Sequence, residues 1–379
     1  MRSGLALICT LAACTFGSPP SAEPDAGADP VPMPDACASF SSQLDTCALE
    51  HQIPLELSGD LMFDTDTGVL TRNGASVTVV SKIVPTLGGE VRALLATSVL
   101  FRNTARLRAV GTRGFAIVAS GSITLQAGAV IDVSTGGAGA RATCDSGPAR
   151  GGNDDGGAAG GGGGGFGAKG GDGGNGDSDQ GESTGGRGGD AAATPPPGPI
   201  GGCTGAGGGD QSAANPGGAP GLGGGAVFLV SNATIGISVG AGIQAGGGGG
   251  AGGTRTTGNG DAGGGGGGSG GMIFLEARVV RSDGILAANG GGGGQGSGNG
   301  AAGMPGTPGR FGIDLAPGGQ GGGSSGTDGA AGGHRASLPG ATPTNVGQGA
   351  GGGGGGGVGI LRVVSPDQQL GALVSPAPT

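Results

Sequence analysis

The chain has 379 residues, 104 of them glycine, with no Trp, no Tyr, 9 Phe, a formal net charge of −9 and a pI of about 4.6. An acidic chain this poor in aromatics lacks the basic footprint and stacking rings of nucleic-acid binding, and it lacks a polybasic patch for anionic lipid. Glycine lies far above its usual share of about 7%, yet it is concentrated. Segments 136–224, 246–271 and 290–357 hold 37, 17 and 31 glycines, and the remaining sequence is β-type with ordinary glycine content.

At the start, Arg2 precedes a short apolar run, Leu5–Ala13. The run is too short to span a bilayer as a helix and reads as a secretory signal over 1–13. Leu11-Ala12-Ala13-Cys14 resembles the lipobox of bacterial lipoproteins. That resemblance implies cleavage before Cys14 and attachment of acyl chains, palmitate among them, to Cys14. Thr15 stands where an Asp would retain such a protein at the inner membrane, so the resemblance implies the outer membrane of a bacterial cell envelope. Residues 14–36 follow as an acidic tether with six prolines and no base. Such a composition has too little apolar area to offset the entropy of ordering.

Six cysteines suit an exported, oxidising location. With Cys9 in the signal and Cys14 in the lipobox, Cys37, Cys47, Cys144 and Cys203 remain. Three pairings are open, and Cys37–Cys47 with Cys144–Cys203 keeps each pair within one segment. Zinc is disfavoured because close Cys-x-x-Cys spacing and a nearby His are both lacking.

Residues 37–135 form an N-terminal β region. Leu55–Phe63 and Val69–Thr71 flank Asp64-Thr65-Asp66-Thr67-Gly68, a hairpin pattern. Further β-type runs are Ser76–Val84, Ser98–Arg102, Arg106–Val110, Phe115–Ala119 and Ile123–Val133. A repeat begins here. Gly114–Val118 aligns with Gly225–Leu229, Gly271–Leu275 and Gly357–Leu361. A second short strand follows each, at Val130–Val133, Gly242–Ala245, Gly284–Ala287 and Ala372–Ser375. Within the glycine-rich region 136–379 the three later units span 225–245, 271–289 and 357–375. One such unit cannot cover its own apolar face, but stacked neighbours can. The expected fold is all-β, a β-solenoid-like stack of short units whose glycine-rich insertions leave from one edge. Hairpins in an antiparallel sandwich are the alternative. Continuous apolar stretches such as Val227-Phe228-Leu229 demand cover on both faces.

The insertions admit three readings: flexible linker, collagen and packed polyglycine II helices. The Gly-x-y triplet persists only briefly, over 303–312. Polyglycine II has three residues per turn and no internal hydrogen bonds, so its backbone must pair with neighbouring chains. Runs such as Gly246–Gly250, Gly263–Gly268 and Gly351–Gly357 suit that packing.

The lipobox, the tether and strand-to-glycine junctions such as Ile131–Gly137 together resemble glycine-rich surface lipoproteins of myxobacteria. The likeness extends loosely to mycobacterial PE-PGRS proteins, whose helical N-terminal domain this chain lacks. It implies a surface-exposed structural or adhesive role.

Chemical signals are sparse. Asp66-Thr67-Gly68 matches the aspartic-protease triplet, but that chemistry needs two copies, and a turn is the simpler reading. Asp64, Asp66 and Gly68, and separately Gly173–Asp179, resemble incomplete calcium loops. His51 and His334 read as surface or loop side chains. Lys82 and Lys169 lack the following Ser or Thr of a phosphate loop. The expectation is a non-enzymatic, lipid-anchored envelope protein with no cofactor and no metal. Its partners are the membrane, through the lipid, and an unidentified surface or matrix component. The alternative is a binder of a small ligand, calcium or an extended surface such as ice.

Overall fold

The computed structural model describes residues 38–51, 53–144, 147–177, 183–256, 260–344 and 349–379. The chain divides into residues 1–38 and 39–379, and the second unit carries every element described below. Cys14, Cys37 and the tether lie outside the described residues. Apart from one 3-10 turn at Thr46–Ala48, the regular elements are strands, so the fold is all-β.

Six strands open it: β1 (Leu55–Leu57), β2 (Asp60–Asp64), β3 (Leu70–Arg72), β4 (Ala75–Val77), β5 (Ser81–Thr86) and β6 (Gly89–Ala96). Next come β7 (Val99–Phe101), β8 (Arg106–Val110), β9 (Gly114–Ala119), β10 (Ile123–Leu125) and β11 (Val130–Asp132). The first insertion leads to β12 (Ala226–Ile237) and β13 (Gly242–Gln244), and the second to β14 (Met272–Ser282) and β15 (Ile285–Ala287). The third leads to β16 (Ile360–Val364), β17 (Asp367–Leu370) and β18 (Val374–Ser375).

Two sheets result, and their strands pair mostly in parallel. In the first, β6, β9, β12, β14 and β16 are successive neighbours. β12 is long enough to pair with β9 through its first half and with β10 through its second, across a register break between Ser231 and Thr234. In the second sheet β2, β8, β11, β13, β15 and β18 follow one another in parallel. The expected hairpin is present where β2 meets β3 antiparallel, with Phe63 opposite Leu70. The run Leu55–Phe63, read as one strand, is split at Gly59 (φ +74°) into β1 and β2, which join different sheets.

The aligned segments pair as neighbouring strands, in a register that differs in part from the sequence alignment. Phe228 lies opposite Phe274, as aligned. Val227, not Ala226, lies opposite Phe115, a slip of one residue. Ile360, not Val358, lies opposite Met272, a slip of two. Gly242 pairs with Ile285 rather than Gly284. The alignment had anchored each unit on its leading glycine. Register instead follows which side chains point inward, because a one-residue slip would exchange the two faces of a strand. The stack also extends further towards the N-terminus, through β1, β2, β6, β7 and β8.

The inward set fills one core shared by both sheets, including Phe63, Phe101, Phe115, Leu229, Leu275, Ile131, Ile243 and Leu286. The opposite face of the first sheet is also buried. Phe228 and Phe274, with ring centroids 4.5 Å apart, form a second cluster with Val118, Val230 and Met272. Its cover has two sources: Leu44 and Leu49 from the segment before β1, and Phe166 and Cys203 from the first insertion. Glu276, on this same face, accepts from Ser41 Oγ and Ser42 N, both at 2.6 Å, and so fastens the N-terminal segment to β14.

All three insertions leave after strands of the second sheet (β11, β13, β15) and return at neighbouring strands of the first (β12, β14, β16). They therefore lie side by side, and their backbones bond to one another. Gly161 N donates to Gly264 O, Gly264 N to Gly351 O, and Gly351 N to Ala158 O, each at 2.9 Å. The pattern recurs three residues on, from Gly164 to Gly267, Gly267 to Gly354 and Gly354 to Gly161. Consecutive donors point at different neighbours: Gly264, Gly265 and Gly266 donate to Gly351, Ala251 and Ala206. A Cβ on these three residues would fall inside the carbonyl oxygens of Gly294, Ala219 and Gly162 respectively. The absence of side chains is therefore a packing requirement at these positions.

Replacing Gly264, Gly265 and Gly266 with Ala is expected to cost about 1–3 kcal/mol per added methyl, seen as a lowered thermal midpoint and faster amide exchange over 263–268. Gly236→Ala, where a Cβ meets nothing within 4 Å, is the control and should be neutral. Equal effects at both sites would remove the packing argument. Separately, Phe274→Asp places an unpaired charge in a buried cluster and should cost more than ~4 kcal/mol. An unchanged thermal midpoint would place that ring outside the core.

Candidate functional site

The residues singled out from the sequence do not converge. Cys144 and Cys203 form a disulfide with Cα atoms 6.0 Å apart, joining the outgoing and returning arms of the first insertion. Arg141 lies beside it, with Nη2 3.4 Å from Cys203 Sγ and its guanidinium 5.1 Å from the centroid of the Phe166 ring. Cys47 sits in the 3-10 turn, its N–H donating to Asp45 Oδ1, and is itself disulfide-bonded.

Asp64 and Asp66 serve the β2–β3 turn. Asp64 Oδ1 accepts from Asp66 N at 2.8 Å and Thr67 N at 3.2 Å. The Asp66 carboxylate accepts from Thr112 N and Thr112 Oγ1, with Arg113 Nη1 at 3.4 Å. The Thr112 hydroxyl foremost, then its N–H and the charges of Arg113 and Arg92, hold the Asp66 carboxyl below the ordinary carboxylate range. Asp66 is thus a clasp between the hairpin and the turn before β9. Part of the second loop, Ser178 and Asp179, lies outside the described residues. Among the described residues no group of three or more His, Cys, Asp or Glu side chains could hold a metal ion.

His51 stands 6.0 Å from the Phe40 ring, and burial lowers its pKa. His334 lines an open cavity of about 640 Å³ with Arg310, Ile313, Asp314, Leu315 and Arg335.

A second cavity, about 550 Å³, lies on the solvent side of the second sheet. Strand alternation builds it. Leu61, Leu107, Ile131 and Ile243 point into the core, so their neighbours point out. One outward row is Asp60, Arg106, Val130 and Gly242; the next is Met62, Arg108, Asp132 and Gln244. Arg108 is committed to Asp132 at 2.9 Å and to Thr135 O. Arg106 is exposed; its N–H donates to Gly59 O, and its guanidinium has no hydrogen-bond or ion-pair partner among the described residues.

One wall comes from the third insertion. Gln244 Nε2 donates to Gly309 O at 3.2 Å. The fully buried Asn289 donates to Arg310 O at 2.9 Å and Gly312 O at 2.7 Å. These bonds hold the 309–312 loop while Phe311 projects into the groove over Gly242, where a Cβ would collide first with the Ile285 carbonyl and then with the ring. Arg310, on the same loop, lines the neighbouring cavity and is exposed, its guanidinium without a partner among the described residues. The two cavities flank one pinned loop, with an uncommitted guanidinium in each. Sequence reasoning passed over Arg106, Gln244 and Phe311. The available signal was Arg106-Leu107-Arg108-Ala109, whose strict alternation marks a strand with one wet face.

No protein-family model matches the chain, and comparison with curated proteins and with solved structures yields no match.

The Asp66 clasp carries a pH signature. Its folded pKa is depressed, so its stabilisation is present above the unfolded value and is lost as pH falls through the folded one. Thermal midpoints measured from neutral to strongly acid pH should therefore fall less steeply for Asp66→Asn than for the native chain. Parallel curves would show that Asp66 contributes nothing to the acid limb.

Proposed function

We propose that this protein is a lipid-anchored envelope protein with a structural and adhesive role at the bacterial cell surface. It would be held by acyl chains on Cys14 and raised on the acidic tether 14–36. In this reading the folded part is a β-solenoid whose insertions pack as polyglycine II. The observation that carries it is the mutual bonding of three insertions, at intervals of three residues and in several directions. Three-residue periodicity with external pairing is what polyglycine II geometry demands. Parallel in-register stacking of successive units supports the solenoid.

The same observation favours scaffold over catalyst. The long insertions build a body beside the strands, and the chemically distinctive side chains lie in an open groove. Pinned side chains on a rigid frame suit recognition, because little is lost in ordering them on contact. The Glu276 clamp and the disulfide suit a protein that transmits load from its tether to its surface.

Cys14→Ser tests the anchor. The native protein should partition with outer membranes and incorporate labelled palmitate, while the variant should appear in soluble fractions without label. Membrane retention with continued labelling of the variant would overturn the lipobox reading.

A further inference from the structure

We infer that the groove on the second sheet, together with the adjoining cavity across the 309–312 loop, binds a carboxylate-bearing polysaccharide, a polyuronate-type chain. The inference deepens the adhesive reading above by naming its partner.

Charge is the first support. The chain carries only 18 Lys and Arg against 27 Asp and Glu. Most of its arginines are spent on carboxylates or backbone carbonyls, as in Arg102–Glu56, Arg113–Glu90, Arg150–Asp210 and Arg281–Asp367. Among the described residues the guanidinium groups of Arg106, Arg278 and Arg310 are not; Arg106 lines the groove, and Arg310 lines the adjoining cavity from the 309–312 loop. A guanidinium presents a planar fork that matches a carboxylate with two parallel hydrogen bonds. Two such forks, one in each cavity, fit a ligand that repeats its carboxylates.

The second support is the lining between them. Phe311 and Val130 both line the groove, an apolar patch suited to the C–H side of a sugar ring. No Trp or Tyr is present, so Phe must supply any such contact. Asp132 and Gln244 add an acceptor and an amide within the same groove, the pair of functions that ring hydroxyls require.

Geometry separates this ligand from others. An acidic peptide docking by strand addition needs a free sheet edge. Such edges exist at β1, β4, β5 and β18, but the groove lies over β2, β8, β11 and β13, each paired on both sides. The groove lies on a sheet face whose backbone is already paired, so only side chains remain to make contacts. The net charge of −9 opposes any polyanion at long range, so binding rests on the local guanidinium groups rather than on the field of the whole chain.

The test titrates the full chain by calorimetry with polygalacturonate, dextran and polyglutamate of matched length, at about 0.1 M salt to screen long-range attraction. Polygalacturonate should bind, with dextran and polyglutamate at least about tenfold weaker. Arg106→Gln and Arg310→Gln should each weaken binding about tenfold, and Phe311→Ala should weaken it without altering its salt dependence. Both arginines are exposed, so thermal midpoints should match the native chain and exclude unfolding as the cause. Absence of polygalacturonate binding overturns the inference, as does binding that survives the double arginine substitution. Polyglutamate binding as tightly, through the same arginines, overturns it in favour of an acidic peptide. Binding in solution does not depend on Cys14, so failure here is distinguishable from failure of the anchoring experiment.

Discussion

The structure depends on a backbone contact that only glycine permits. Where three insertions meet, an N–H from one chain reaches a carbonyl of another, and the space a Cβ would take is occupied by a third chain's carbonyl oxygen. Peptide groups buried this way must be paired, since an unpaired buried N–H or C=O costs about 1–3 kcal/mol. The glycine layer meets that demand without a strand ladder. It uses donors aimed in turn at different neighbours rather than along one sheet.

The strands supply what glycine cannot. A layer with no side chains buries little apolar area, and the hydrophobic effect scales with that area. The β units therefore hold the apolar core, and their parallel stacking sets where each insertion begins and ends. The layers are locked together by a few larger groups. Phe166 enters the outer cluster of the first sheet, the Cys144–Cys203 bridge closes the first insertion, and Ser269 Oγ accepts from Cys203 N. The segment before β1 completes the cover through Leu44 and Leu49, with Glu276 satisfying its backbone at Ser42. Cover on both faces of the first sheet from different parts of the chain accounts for the unbroken apolar stretches Ala226–Val230 and Met272–Leu275.

The groove arises from the same architecture. Where the second sheet has no such cover, its outward rows stay wet and carry Arg, Asp and Gln. The third insertion reaches only its rim, where Asn289 and Gln244 hold the loop bearing Arg310 and Phe311. Gly242 leaves room both for the Ile285 carbonyl of the neighbouring strand and for the Phe311 ring.

Composition and periodicity alone pointed to an all-β chain and to four related units separated by unequal insertions, which would depart from a common edge if the units stack. Those properties follow from local chemistry: apolar runs of strand length, turn residues between them, and glycine where no core can form. The continuous run Val227-Phe228-Leu229 also announced that both faces needed cover. Register was beyond reach. Glycine anchored the alignment, but the pairings of Phe115 with Val227 and of Met272 with Ile360 depend on which side chains share a core. The partners of each glycine N–H were equally hidden, because identical residues carry no information about which neighbour they meet. The groove joins Arg106, Gln244 and Phe311 from three distant stretches. Only the stacking of β8, β11 and β13, and the return of the third insertion across them, brings those side chains to one surface.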